Sequence, residues 1–173
     1  MPIRYALPPD ADVMAEITCA AFAQFEDFDV TREQSAANWR RTLLKEAAER
    51  PRPHHTRIAE LPDGTIAGLV MGGPAAPELG FDAEIYALAV RPARQAQGHG
   101  RTLVRAAAAD LHTDGHGSLV IRVLAVNERA RAFYTSLGGV LAGEVPPAEV
   151  YYAWPRITAL LDHDDDHPAD HPL

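Results

Sequence analysis

The residues best placed to do chemistry lie between two apolar runs. After "EIYALAV" (Glu84–Val90) comes "RPARQAQGHGR", and then a stretch patterned like a helix. Gly98 and Gly100 at this junction either bring backbone close to a ligand or let the chain take a positive φ. A helix start carries about half a positive charge and several unpaired amides, so it would receive an anion here. A dinucleotide loop is excluded, because Leu103 stands where Gly-x-Gly-x-x-Gly needs its third glycine. A nucleotide P-loop is excluded too, since no lysine lies between Val90 and Leu111. An anion cradle and a plain tight turn both remain open.

Other reactive side chains carry less. Cys19 is the only cysteine, which rules out an internal disulfide or a cysteine-built zinc cluster; its apolar surroundings predict a packed thiol. His163, His167 and His171 in "LDHDDDHPADHPL" offer metal-binding side chains without a fixed geometry, so a solvated tail is expected and no metal site is assigned.

The elements that must position these residues are legible from periodicity. Ile3–Tyr5 reads as a short strand. Asp10 is placed to cap a helix bearing Val13, Ile17, Ala20 and Ala21 on one side. Thr31 and Gln34 form a capping-box pattern opening a second helix through Trp39, Leu43 and Leu44 towards Pro51. Two β-prone runs around Pro62-Asp63-Gly64 make a hairpin. "EIYALAV" fits a central strand covered on both faces, with Glu84 on the side shared by Tyr86 and Leu88 under strict alternation.

A helix over Arg101–Asp110 carries Leu103, Val104, Ala107, Ala108 and Leu111 on one stripe. "SLVIRVLAV" is a second buried strand. Asn127 then caps a helix with Ala130, Phe133, Tyr134 and Leu137 at helical spacing, stopped by Gly138-Gly139. Two short strands follow. The order β, α, α, hairpin, β, α, β, α, β, β predicts an α/β (α+β) domain, a mixed sheet flanked by helices with one right-handed parallel crossover. One domain is expected over residues 1–158, with residues 159–173 an acidic, disordered tail of Asp, His and Pro.

Composition narrows the function. The chain has 173 residues, 47% of them hydrophobic, enough for a proper core. Its formal net charge of −8 disfavours nucleic acid and other polyanions as partners. No run approaches membrane-spanning length and the first residues lack signal-peptide order, so no membrane partner and a cytoplasmic location are expected.

Two stretches carry a family likeness. Gln95-Ala96-Gln97-Gly98-His99-Gly100 after "LAVRP" fits Gln/Arg-x-x-Gly-x-Gly/Ala. "NERARAFYTSLGG" (Asn127–Gly139) fits Asn-x-x-Ala-x-x-Phe-Tyr-x-x-Leu-Gly. Together they resemble the acetyl-coenzyme A signatures of the GNAT N-acetyltransferase superfamily, and the element order extends the likeness from Ile3 to about Trp154. Gly139 departs from the pattern, which commonly has a bulky residue there.

The resemblance implies a GNAT acyl-CoA N-acyltransferase fold with splayed parallel strands, acetyl-CoA as cosubstrate and an amine acceptor. The backbones of Gln95, Ala96, Gln97, Gly98, His99, Gly100 and Arg101, with the Thr102 hydroxyl, would hold the pyrophosphate. Arg91 and Arg94 are either ribose-phosphate ligands or surface charge. Leu88, Ala89 and Val90 would offer backbone groups to the pantetheine arm, and an amide near Leu88 or Ala89 would polarise the thioester carbonyl. Asn127 either caps its helix or touches the arm, two compatible roles.

By the same resemblance Tyr134 is the general acid for the leaving thiolate, at a proton-sharing cost of about 2 kcal/mol between phenol and thiol. On periodicity alone it is one more buried aromatic. Glu84 is the implied base acting through water, against a reading as a solvated strand-end carboxylate; Asp82, Glu26 and His99 are reserves. The acceptor pocket would use Phe25, Glu26, Phe28, Glu84 and Tyr151, where aromatics beside acids suit a cationic amine, against a plain acidic rim. The expected activity is acetyl transfer to a primary amine of a small molecule or peptide by direct attack in a ternary complex, from a monomer or homodimer. The alternative is a non-catalytic CoA-binding module of the same fold.

Overall fold

Seven strands form one sheet in the order β1-β2-β3-β4-β5-β7-β6 in the computed structural model, which describes residues 2–25, 30–146 and 148–162. The strands are β1 (Ile3–Tyr5), β2 (His55–Glu60), β3 (Ile66–Pro74), β4 (Ala83–Val90), β5 (Leu119–Leu124), β6 (Val140–Val145) and β7 (Glu149–Trp154). The helices are α1 (Ala11–Phe22), α2 (Arg32–Ala48), α3 (His99–Thr113) and α4 (Glu128–Ser136). All neighbouring strands run antiparallel except β4 and β5, the parallel pair joined through α3. This is the expected order of elements and the expected mixed sheet.

Two cores cover the sheet. The larger joins α3 and α4 to one face through Leu103, Val104, Leu111, Ile85, Ile121 and Trp154. The other joins α1 and α2 to the opposite face through Met14, Ile17, Trp39, Leu43, Ile58 and Leu69. All five residues of the expected α3 stripe are fully buried. The expected α1 stripe is rotated: Ala11, Met14, Ala15 and Ile17 bury, while Val13 is half-buried and Ala20 is exposed. Alanine spacing misled there, because alanines fit either face of a helix.

Local signals are met or displaced for physical reasons. The Thr31 hydroxyl accepts from Gln34 N, and Gln34 Oε1 accepts from Thr31 N, so the capping box opens α2. Asp10 does not cap α1 with its side chain; its carboxylate accepts from Leu7 N and from the Arg4 guanidinium. α3 begins at His99, two residues before the expected start, so Gly100 lies in its first turn. Ile157 and Leu160 follow β7 in a short 3₁₀ turn and bury in the larger core, which carries the packed chain to Leu160. The rest of the expected tail, residues 163–173 with its histidines, lies outside the described residues.

Gly139 shows why the bulky residue is missing. A Cβ there would stand 2.8 Å from the Trp154 ring and 2.9 Å from the Tyr134 carbonyl oxygen. The turn after α4 is therefore packed directly on β7, and Gly138 supplies the positive φ of +79° that ends the helix.

Candidate active site

The site begins where β4 and β5 part. Their parallel pairing covers only Ala83–Leu119, Glu84–Val120 and Ile85–Ile121, although β4 runs on to Val90 and β5 to Leu124. Past Ile85, β4 keeps β3 on one side and has no strand on the other. At the same place β4 bulges: Ala87 pairs with Met71 and Ile85 with Gly72, leaving Tyr86 as the extra residue. The bulge reverses the alternation beyond it. Leu88 and Val90 pack with the α3–α4 core and Ala87 and Ala89 with the α1–α2 core. Strict alternation therefore placed Leu88 on the wrong side; Glu84 shares its face with Ala87 and Ala89 instead.

The fork opens into a cleft of about 490 Å³. One wall is Leu88, Ala89 and Val90; facing it are Asn127, Arg129, Ala130, Phe133 and Tyr134 of the α4 region. Gln95, Ala96, Gly98, Gly100 and Arg101 close one end, and Ala21, Phe22, Gln24 and Phe25 rim the cleft. Ten of the expected coenzyme residues thus share one wall system: Leu88, Ala89, Val90, Gln95, Ala96, Gly98, Gly100, Arg101, Asn127 and Tyr134. Phe25 joins them at the rim.

The glycine loop is built as an anion cradle needs to be. Gly98 has φ +84° and serves as N-cap of α3 with no side-chain cap, and Ala96 has φ +60°. Among the described residues, no main-chain carbonyl accepts a hydrogen bond from the amides of Ala96, Gln97, Gly98, Gly100 or Arg101. Gly100 brings α3 against Phe133, which a Cβ would meet at 3.2 Å. The turn reading and the cradle reading are both realised: the positive φ is what aims the amides. Gln95 is tied down by its own side chain, donating to the Val90 carbonyl at 3.1 Å.

Several side chains around the loop face away from the cleft, which bears on the hydroxyl expected of Thr102 and not on the backbone roles expected of Gln97 and His99. Gln97 donates to Ala93 O and Thr102 donates back to Gly98 O; both side chains lie outside the cleft wall. The His99 ring is buried. Arg91 is structural, donating to the Ile66 carbonyl at 2.8 Å and pairing with Glu16 at 2.5 Å, so the surface-charge and phosphate readings both give way. Arg129 lines the cleft as Arg101 does and was not expected, because nothing in its spacing separates it from other exposed helix arginines.

Asn127 does cap its helix, Oδ1 accepting from Ala130 N at 3.1 Å, while also lining the cleft. Tyr134 is buried in the wall, its ring edge-on to Phe133 at 5.2 Å and to Trp154 at 6.3 Å. Burial pushes its phenol well above the ordinary tyrosine value, because an ionised oxygen there would lose its water. The buried-stripe reading and a role at the cleft coincide in one side chain.

Glu84 and Tyr151 form a second group at the closed end of the fork. Glu84 is only 3% exposed, and Arg122 Nε donates to its Oε1 at 2.8 Å. It is neither a solvated strand-end carboxylate nor part of the cleft wall. Tyr151 lies opposite Arg122 across β5 and β7, stacked over Gly143, where a Cβ would meet its hydroxyl at 2.5 Å. Asp82 accepts from the amides of Gly117 and Ser118, which hold its carboxyl below the usual range and tie the β4 and β5 approaches together. Glu26 and Phe28 lie outside the described residues. Arg122 was not among the expected site residues; it is 38 residues from Glu84, and only the pairing of two strands brings them together.

A family model described as the acetyltransferase (GNAT) family matches residues 15–138. The chain belongs to the GNAT family. Comparison with curated protein sequences gives no match. Among solved structures, this GNAT chain is similar in fold to an acetyltransferase from Thermus thermophilus, at 22% identity and TM-score 0.71 over 89% of this chain and 96% of that one. It is also similar to PaiA N-acetyltransferase from Thermoplasma acidophilum in complex with coenzyme A, at 15% identity and TM-score 0.73 over 88% and 96%. YncA of Salmonella typhimurium, with its cofactor acetyl-CoA, matches at 19% identity and TM-score 0.70 over 100% and 99%. These likenesses establish the fold. Among the described residues no helix is long and apolar enough to cross a membrane.

Proposed function

We propose that this GNAT protein transfers an acetyl group from acetyl-CoA to the amine of a small molecule or peptide. The observation that carries the reading is the coincidence, in one cleft, of unbonded loop amides, an unpaired strand edge and a buried tyrosine. The amides of Ala96, Gln97, Gly98, Gly100 and Arg101 would hold the diphosphate, that of Gln95 being taken by the Pro92 carbonyl, with Arg101 and Arg129 adding charge. The open edge of β4 at Leu88–Val90 would pair with the amide-bearing arm as an added strand does. A thioester supplied there is an activated acyl group.

Tyr134 keeps its proton across the working pH range, because burial disfavours phenolate. It is therefore present as the acid; because the same burial raises the cost of releasing the proton above that of an ordinary phenol, delivery to the departing sulfur is concerted with carbon–sulfur cleavage. Glu84 uses one oxygen to hold Arg122 and has the other to take the surplus proton of the attacking amine through water. In the transfer a nitrogen–carbon bond forms as the carbon–sulfur bond breaks, and the two protons move to Glu84 and from Tyr134. Acetylation of an amine panel followed by thiol release tests this. Turnover of at least one amine is expected; tight CoA binding with no turnover on any amine would leave a binding module instead.

A further inference from the structure

We infer that the acceptor is a zwitterion, a free amino acid or close relative, whose carboxylate is held by Arg122 and whose ammonium sits at Glu149. The inference rests on the acetyl-transfer reading and specifies which amine. Arg122 is the first β5 residue past the last pair with β4, so it marks the closed end of the fork. Because Leu119, Ile121 and Val123 face the α3–α4 core, Arg122 projects to the opposite face, as Glu84 does between Ala83 and Ile85.

The guanidinium is anchored at one atom and open at the others. Nε is fixed by Glu84, a carboxylate almost wholly withdrawn from water. Among the described residues the terminal nitrogens donate no hydrogen bond, and Glu149 Oε2 forms a long ion pair with Nη1 at 4.0 Å, outside hydrogen-bond range. The Arg122 side chain is 45% exposed. A planar fork held by its inner edge, its outer edge without a hydrogen bond and only loosely paired with Glu149, can take a carboxylate by two parallel bonds.

The neighbouring charge has the opposite sign. Glu149 is 37% exposed, half engaged by Arg122, and lies on β7 two residues from Tyr151, which faces Arg122 across the strands. A positive and a negative group about 4 Å apart match the two ends of an amino acid. A plain alkylamine would leave the outer edge of Arg122 covered and unpaired, the kind of loss by which polar sites reject analogues lacking a group.

The test compares, on the full chain with acetyl-CoA, three acceptors that share one side chain: leucine, leucinamide and 3-methylbutylamine, with a phenylalanine series in parallel. Thiol release gives kcat and KM. The amino acid should exceed its amide and its decarboxylated amine at least tenfold in kcat/KM, mainly through KM. R122M should abolish that preference and R122K should restore part of it, with CoA binding by calorimetry reporting that each variant is folded. The wild-type series needs no variant, so a folding defect in R122M leaves the test intact. Amide or plain amine used as well as the acid would overturn the inference while leaving acetyl transfer standing. Silence with every acceptor would overturn both.

Discussion

Tyr134 is placed for its proposed role at the cleft wall, and burial keeps it in the acid form. The phenol is enclosed by Phe133, Tyr152 and Trp154 and is held protonated by desolvation. Replacing Tyr134 with Phe should lower kcat about 100-fold, in the usual range for a lost general acid, with CoA affinity changed less than about twofold. The pH profile carries an independent expectation. A raised phenol pKa means the acid form persists to higher pH than in free tyrosine, so kcat should show no alkaline fall through the ordinary phenol range near 10. A fall centred there would remove Tyr134 from the acid role. At this scale the sequence identified Tyr134 and the loop residues through their motif. It missed Arg122 and Arg129, because an arginine's use depends on what lies opposite it in space.

The elements place these side chains through a few close fits. The glycine loop, α3 and α4 meet at Gly100 against Phe133, and the α4 exit meets β7 at Gly139 against Trp154. Gly139→Ala should destabilise the protein by about 1–3 kcal/mol, the usual cost of overpacking, read as a lower midpoint in denaturant. An unchanged midpoint would show that the turn relaxes freely. Gly98→Ala meets no steric obstacle but forces a Cβ into a positive φ, at about 1–2 kcal/mol. Its distinguishing effect should be weaker CoA binding, since the same dihedral aims the amides. Helix stripes and hairpin signals were readable in the sequence because α3, α2 and the β2–β3 turn obey simple periods and capping rules. The β4 bulge was not. Nothing in "EIYALAV" marks Tyr86 as an inserted residue, and the one-residue slip against β3 appears only once the partner strand is in register. The same slip explains why Glu84 and Leu88 part company, while the parallel pairing of β4 with β5 brings Glu84 to Arg122. The face of α1 was misjudged for a different reason: its alanines give the period little contrast.

The whole molecule is a sheet of two parts that share only three parallel residue pairs at the β4–β5 junction. β1–β4 with α1–α3 lie on one side, and β5–β7 with α4 on the other. A ligand seated in the fork touches both, so binding should couple to global stability. At a CoA concentration about 100 times Kd the fold should gain about 2.7 kcal/mol, visible as a rise in Tm. Tyr134→Phe should keep that rise, since it leaves the loop intact. The net charge of −8 was legible from composition and sets the background against which any acidic ligand must be held by local amides and arginines.

The central claim is that the amides around Gly98 and Gly100 receive the diphosphate of a coenzyme A thioester. Isothermal titration of the full chain with CoA and with acetyl-CoA measures it directly. Saturable one-to-one binding is expected for both, weakened at least tenfold in Gly98→Ala, while dephospho- and pantetheine-only fragments bind less well. Absence of binding at millimolar CoA, in protein shown to be folded, would contradict the account.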